Sequence, residues 1–332
     1  MQYRTLGNSG IEASVVGLGT WVTGGGQMWN GVDDSESARA ISVALDNGVN
    51  LIDTAPAYGW GHSETVIGQV IKGRRDKVVL ATKCGMWWDD ARGSFHFAFD
   101  GHDTYISLRP DTMAIEIENS LRRLGTDYID LYQIHWPAKE PENTPIADTM
   151  AMLMKFKEQG KIRAIGLSNV SVAQLEEYRA GGAVASDQFR YSMLYRAPEA
   201  DILPHCAANN IATLTYMSLE QGLLTGKVGM NRKFDPNEFR SNEDWNAWFK
   251  LANRPKVLRM LAGWEDLVEK YSCRLAQLVI AWTAAQTGVT HVLCGARTAT
   301  QAEQNADAGG IILDAADVAR MRKNALALGE PR

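Results

Sequence analysis

The sequence predicts an α/β fold: a closed parallel (β/α)8, or TIM, barrel with an N-terminal β-hairpin and long loops at its C-terminal face. Two observations lead there. Short runs rich in β-branched and apolar residues recur at 14–20 (SVVGLGT), 50–55 (NLIDTA), 78–83 (VVLATK), 129–135 (IDLYQIH), 162–168 (IRAIGLS), 185–190 (ASDQFR), 212–217 (ATLTYM) and 291–296 (HVLCGA). Between most of them lies a segment of helical period, as at 34–48, 110–125, 145–160, 171–182 and 274–288. Continuous apolar strands alternating with helices imply a parallel sheet covered on its outer face, and eight such units close a barrel.

The individual elements carry their own signals. Several helical segments open on Ser, Asp or Pro and close on Gly, as helix ends do. Residues 3–14 (YRTLGNSGIEAS) read as a hairpin turned at 8–10, ahead of the first barrel strand. No linker rich in Pro, Gly or Ser divides the 332 residues, so a single domain spanning 1–332 is expected. Two connections exceed ordinary loop length, 84–108 and 220–255. Both are rich in large side chains, which argues for order, and both follow strand C-termini, the face on which barrel sites lie.

Bulk properties narrow the function. Apolar residues make up 45% of the chain, enough for a sizeable core. A net charge of −5 and a pI of about 5.7 call for neither nucleic acid nor an anionic membrane. The cysteines at 84, 206, 273 and 294 form no CxxC pair, which suits a reducing, cytoplasmic setting. No run approaches the ~18 apolar residues of a membrane span, and MQYRTLGNSG lacks a signal core. Homo-oligomerisation is left open.

The chemistry begins in NLIDTAPAYGWGHSE (50–64). Asp53 stands near the end of the second strand and Tyr58 on the loop that follows. Lys83 ends the third strand and His135 the fourth. Neighbouring parallel strands lie about 4.8 Å apart, so a carboxylate, an ammonium and an imidazole meet with the phenol over them. Such a set is an acid for a carbonyl oxygen. A phenol near pKa ~10 is a weak acid at neutral pH, and the Lys83 ammonium favours phenolate and lowers that value. Asp53 pairs with Lys83 and offsets the cost of burying it. A neutral His135 donates to the carbonyl and polarises it. None of these groups supplies hydride, so a cofactor is required. His62, His96 and His102 are irregularly spaced, and no metal is expected. TGGGQMW (23–29) fits neither phosphate-loop pattern and reads as a mobile loop.

DTAPAYGWGHSE, ATK, IHWP, GKIRAIGLSN (160–169) and GARTATQAEQN (295–305) resemble the aldo-keto reductase signatures, in order, across essentially the whole chain. The nearest flavour is the bacterial branch similar to inositol-operon-type reductases and relatives of potassium-channel β subunits. The resemblance implies a barrel using NADPH, less often NADH, without metal. It implies Tyr58 as general acid/base, supported by Asp53, Lys83 and His135. Thr20 and Trp21 match positions facing the nicotinamide ribose and the substrate, with Asp53 beside them. Ser168, Asn169 and Gln188 match the carboxamide grip, and Tyr216 the ring stacked beneath the nicotinamide. Ser218, Leu219, Gly222, Leu224, Gly226 and Lys227 match a belt near the pyrophosphate. Gly295, Arg297, Gln301, Gln304 and Asn305 match the adenosine end. There Arg297 would pair with a 2′-phosphate as a planar fork, and a helix starting near Ala299 would add its N–H groups. The sequence departs from the pattern at Ser218 and Cys294, where relatives commonly have Pro, and at Gln304, where many have Glu.

Substrate class is read from the loops. Trp21, Trp60, Trp87, Trp88 and Phe95 offer aromatic faces, with Tyr58, His135 and Trp136 at the reacting end. Asp89, Asp90, Arg92, His96, Arg240 and Trp248 offer polar partners. Faces combined with hydrogen-bonding groups suit a carbohydrate carbonyl. A second expectation is a redox-sensing interaction subunit that binds cofactor tightly and turns over slowly. A hydrolase or isomerase would need a second carboxylate at a neighbouring strand end, whereas Asp130 and Asp187 lie earlier in their strands.

Overall fold

A computed structural model describes residues 1–26, 29–242 and 247–331. The predicted loop at 23–29 therefore lies outside the described residues at Gln27 and Met28, and the connection at 220–255 does so at 243–246.

The barrel is closed. Its strands are β1 (Val16–Gly19), β2 (Leu51–Asp53), β3 (Val79–Cys84), β4 (Ile129–Ile134), β5 (Ile162–Ser168), β6 (Ser186–Arg190), β7 (Ala212–Tyr216) and β8 (His291–Gly295). Each pairs in parallel with the next, and β8 returns to β1. The register sets Asp53 opposite Ala81 and Lys83 opposite Gln133. Helices α1 (Asp34–Asp46), α2 (His62–Ile71), α3 (Pro110–Leu124), α4 (Ile146–Glu158), α5 (Val172–Gly181), α6 (Ile202–Ala208), α7 (Arg254–Ala262), α8 (Glu265–Lys270), α9 (Leu275–Ala284), α10 (Ala299–Ala308) and α11 (Ala315–Leu326) follow in chain order.

Local chemistry accounts for the helix ends. Asp33 accepts from the Glu36 amide at the start of α1, and Ser171 and Gln174 form a capping box on α5. Pro110 opens α3, and Gly125 closes it at φ 63°.

An apolar layer between strands and helices forms one core. The barrel interior holds a second, in which Leu6 and Ile11 of the hairpin meet Leu51, Val79 and Leu214. That hairpin pairs Tyr3–Thr5 with Glu12–Ser14 and caps the N-terminal end of the barrel. Burying a leucine such as Leu6, which is 0% exposed, contributes roughly 1.5–3 kcal/mol. Gly7 makes the close approach possible: at φ +52°, a Cβ there would lie 2.2 Å from the Ala185 carbonyl oxygen. With this end capped, the opposite mouth is left for chemistry.

Two predicted loops prove to be structured. Residues 84–108 contain a three-stranded antiparallel sheet of Met86–Trp87, Ser94–Phe99 and His102–Ile106. Its tight turn places Asp100 at φ 51° and Gly101 at φ 78°, the conformation that favours Asp-Gly in a two-residue hairpin. The connection after β7 is packed too: Leu223, Leu224, Trp248 and Phe249 join α7 and α9 in a third apolar cluster. No helix among the described residues is long and apolar enough to cross a membrane.

Candidate active site

The ends of β2, β3 and β4 bring their polar side chains together. Lys83 Nζ donates to Asp53 Oδ1 at 2.7 Å and to the Thr54 carbonyl at 2.9 Å, and lies 3.3 Å from the Tyr58 hydroxyl. The other Asp53 oxygen accepts from Gln133 Nε2 at 3.0 Å and Gln188 Nε2 at 2.9 Å. Lys83 is 0% and Asp53 2% exposed, so this ion pair is shut away from water with its hydrogen bonds made. The His135 ring stands edge-on to Tyr58, 5.7 Å between centres. Asn169, at the end of β5, donates to the His135 carbonyl and accepts from the Tyr216 hydroxyl at 2.9 Å, which ties β4 to β7.

The environment sets the charges. For Lys83, burial alone would favour the neutral amine, but Asp53 and Tyr58 outweigh it and hold the ammonium above its ordinary value. Burial drives His135 well below the imidazole range, and the Lys83 charge adds to the effect, so the ring is neutral at physiological pH. Tyr58 reverses the sequence expectation. Burial raises the phenol more than Lys83 lowers it, and Asp53 adds to the rise. The phenol therefore rests fully protonated with an ammonium beside its oxygen, ready to donate.

Above this cluster opens a cavity of about 1100 Å³. Its lining includes Thr20, Trp21, Asp53, Tyr58, His135, Trp136, Ser168, Asn169, Gln188, Tyr216, Ser218, Leu219, Gly222, Lys227, Gly295, Arg297, Gln301, Gln304 and Asn305. Those predicted positions converge. Others do not reach it. Leu224 is buried in the apolar cluster around α7 and α9, and Gly226 ends the turn behind the lining. Trp87 is buried and gives its Nε1 hydrogen to Asp90 at 2.8 Å. Trp60 packs against Trp88 and His102 instead of the cavity. Asp90 and Arg92 pair with each other on the surface, Phe95 faces solvent, and Trp248 is core. Asp89 is likewise absent from the lining, whereas His96 and Arg240 are part of it. Gln188 has spent its amide hydrogens on Asp53 and Gln133 and offers the cavity its oxygen.

Sequence reasoning missed Gln133, although alternation with Leu131 on β4 points it inward. It also missed Trp29 and Phe239, whose rings pack on Trp21 at 5.1 Å and 4.8 Å between centres. No periodicity marks either residue. His62 pairs with Asp34, His102 stacks on Trp60, and His96 faces the cavity, so the three do not converge. No group of three His, Cys, Asp or Glu suited to a metal exists among the described residues.

Known proteins match this arrangement. The aldo/keto reductase family profile covers residues 15–325. An Escherichia coli K12 protein named NADH-specific methylglyoxal reductase is 42% identical over 330 residues, 99% of this chain and 99% of the relative. An Arabidopsis thaliana protein named probable voltage-gated potassium channel subunit beta is 31% identical over 328 residues, 94% of this chain and 92% of the relative. The solved glycerol dehydrogenase of Gluconobacter oxydans superposes with a TM-score of 0.86 at 36% identity, covering 99% of this chain and 96% of that one. The first relative corrects one expectation. A protein this similar is specific for NADH, so the family resemblance and the fork of Arg297 do not establish NADPH as the cofactor. The chain belongs to the aldo/keto reductase family and is an oxidoreductase acting on carbonyl groups.

Proposed function

We propose that this protein reversibly reduces a small, oxygen-rich carbonyl to its alcohol, with Tyr58 as the proton donor. The carrying observation is the Tyr58 hydroxyl 3.3 Å from a buried ammonium at the foot of the cavity. Lys83 holds positive charge beside the oxygen that loses its proton, and so favours phenolate as the proton leaves. Asp53 fixes Lys83, and Gln133 and Gln188 fix Asp53. His135 donates to the carbonyl oxygen and orients it beside the phenol.

A nicotinamide dinucleotide fits the remaining residues, and when bound it supplies the hydride. Three buried nitrogens of residues lining the cavity, Trp29 Nε1, Gln221 Nε2 and Arg297 Nη2, have no hydrogen-bond partner among the described residues. Gly222 leaves open space where a side chain would stand. Tyr216, Ser168, Asn169 and the Gln188 oxygen would hold the nicotinamide. Ser218, Leu219 and Lys227 would hold the pyrophosphate, and Gly295, Arg297, Gln301, Gln304 and Asn305 the adenosine. The Thr298 hydroxyl caps α10 there, accepting from the Gln301 amide.

Trp21 and Trp136 face the reacting end beside the polar His96, which supports a substrate with several oxygens, sugars included. The relatives named for methylglyoxal and glycerol point the same way. The lining draws on residues from Gly19 to Asn305, which supports one domain across the chain. All four cysteines are free, in keeping with a cytoplasmic setting.

The test is oxidation of NADH and of NADPH with a panel of methylglyoxal, glyceraldehyde and longer aldoses, repeated with Tyr58→Phe. Turnover unchanged in that variant would remove the mechanism. Packing of Phe239 on Trp21 in the cavity lining favours a second reading, a slow cofactor-holding sensor. Cofactor release measured by stopped flow, compared with steady-state turnover, separates the two.

A further inference from the structure

The hairpin strand Ser94–Phe99 carries His96 onto the cavity wall, on the loop side of the same mouth that holds His135. Nothing in the proton-donating cluster uses it. Its place is nevertheless built. Lys139, on the loop after β4, has its Nζ 3.3 Å from His96 Nδ1. An ammonium only donates, so Nδ1 accepts and the ring hydrogen sits on Nε2. The same loop clamps the hairpin backbone: Ser94 Oγ donates to the Lys139 carbonyl at 2.6 Å and accepts from the Glu142 amide at 2.9 Å. The Glu142 carboxylate in turn accepts from the Gly93 amide at 2.8 Å. Trp136 packs 6.0 Å from the His96 ring. Burial and the Lys139 charge both keep the His96 ring neutral, and His96 is close enough to His135 to bear on its charge. The mouth therefore presents two neutral imidazoles from two different elements.

We propose that His96, fixed by Lys139, is a specificity-determining residue that donates a hydrogen bond to a second oxygen of the substrate, borne beside the reacting carbonyl. The inference deepens the function proposed above and rests on it. One donor at the carbonyl and one beside it suit a compound with vicinal oxygens, either a 1,2-dicarbonyl or an α-hydroxy carbonyl. A carbonyl without the second oxygen leaves the His96 donor unpaired beside it, and a polar site rejects such an analogue strongly.

The experiment compares kcat/KM for methylglyoxal, glycolaldehyde and propanal in wild type, His96→Phe and His96→Gln. In His96→Phe the two oxygenated substrates are expected to lose about 10- to 100-fold, while propanal holds steady or gains because no donor is left unpaired. His96→Gln, which keeps an N–H donor, should restore the preference to within about 5-fold of wild type. A fall in methylglyoxal alone, or glycolaldehyde alone, identifies which oxygen chemistry is read. A parallel fall for all three substrates, or no change for any, overturns the proposal. Propanal turnover shows in each variant that the reducing site is intact. If wild type reduces none of the three, the functional reading itself fails, a result distinct from failure of the His96 role.

Discussion

Lys83 Nζ lies 3.3 Å from the Tyr58 hydroxyl but 5.0 Å from the centre of its ring. The ammonium therefore stands nearer the phenolic oxygen than the ring centre. Only that approach stabilises charge where it appears when the proton leaves.

Replacing Tyr58 with Phe removes the proton and little else. The expected loss in kcat is about 10²- to 10⁴-fold, the usual worth of general acid–base catalysis. Dinucleotide affinity, followed by quenching of tryptophan fluorescence, should change by less than about 2-fold.

Lys83→Met leaves the Asp53 carboxylate buried without its cation. Breaking such a pair costs about 3–5 kcal/mol. Adding Asp53→Asn removes the orphaned charge, so urea denaturation should show the double variant more stable than Lys83→Met alone. Strict additivity of the two substitutions would contradict the pairing seen here. Both variants should be inactive.

Gly59 follows Tyr58 at φ +65°, and a Cβ on it would sit 2.2 Å from the Gly24 carbonyl oxygen. Gly59→Ala should destabilise by at least about 2 kcal/mol, from left-handed backbone strain and the clash together. Because the displaced residue neighbours the proton donor, kcat/KM should fall by about 10-fold or more. Thermal melting and steady-state rates read the two effects separately.

Two buried groups outside the cavity lining predict opposite pH slopes. Burial pulls His291 from 6.5 down to about 4, while the Ser14 carbonyl accepts from its Nδ1 and Nε2 has no partner among the described residues. The unfolded chain binds this proton more readily. The stability present above pH 6.5 is therefore lost as pH falls toward 4, by about 3 kcal/mol. Burial raises Glu116 from 4.5 to about 8, against the pull of the Gly85 amide. Its contribution is full below pH 4.5 and is lost as pH rises through 8, by roughly 5 kcal/mol. Subtracting the denaturation profile of His291→Gln, or of Glu116→Gln, from that of wild type should isolate each slope. A flat difference in either window would refute that assignment.

The sequence by itself determined the barrel and the four groups at its mouth. Alternating strands and helices admit few closures, and residues at the ends of consecutive strands must become neighbours. The Asp-Gly pair at 100–101 carries a local hairpin signal that the loop reading of 84–108 passed over. Tertiary structure alone decided three things. Side-chain direction in the added sheet sent Trp87 into packing and His96 into the cavity, and Trp60 and Trp88 from the neighbouring loops pack on each other. Exclusion of water raised the Tyr58 phenol where pairwise charge alone predicted a fall. Folding also made Gln133 and Gln188 the brace for Asp53. Each depends on which atoms lose water and which partners face them, and residues far apart in the chain settle that only when they pack.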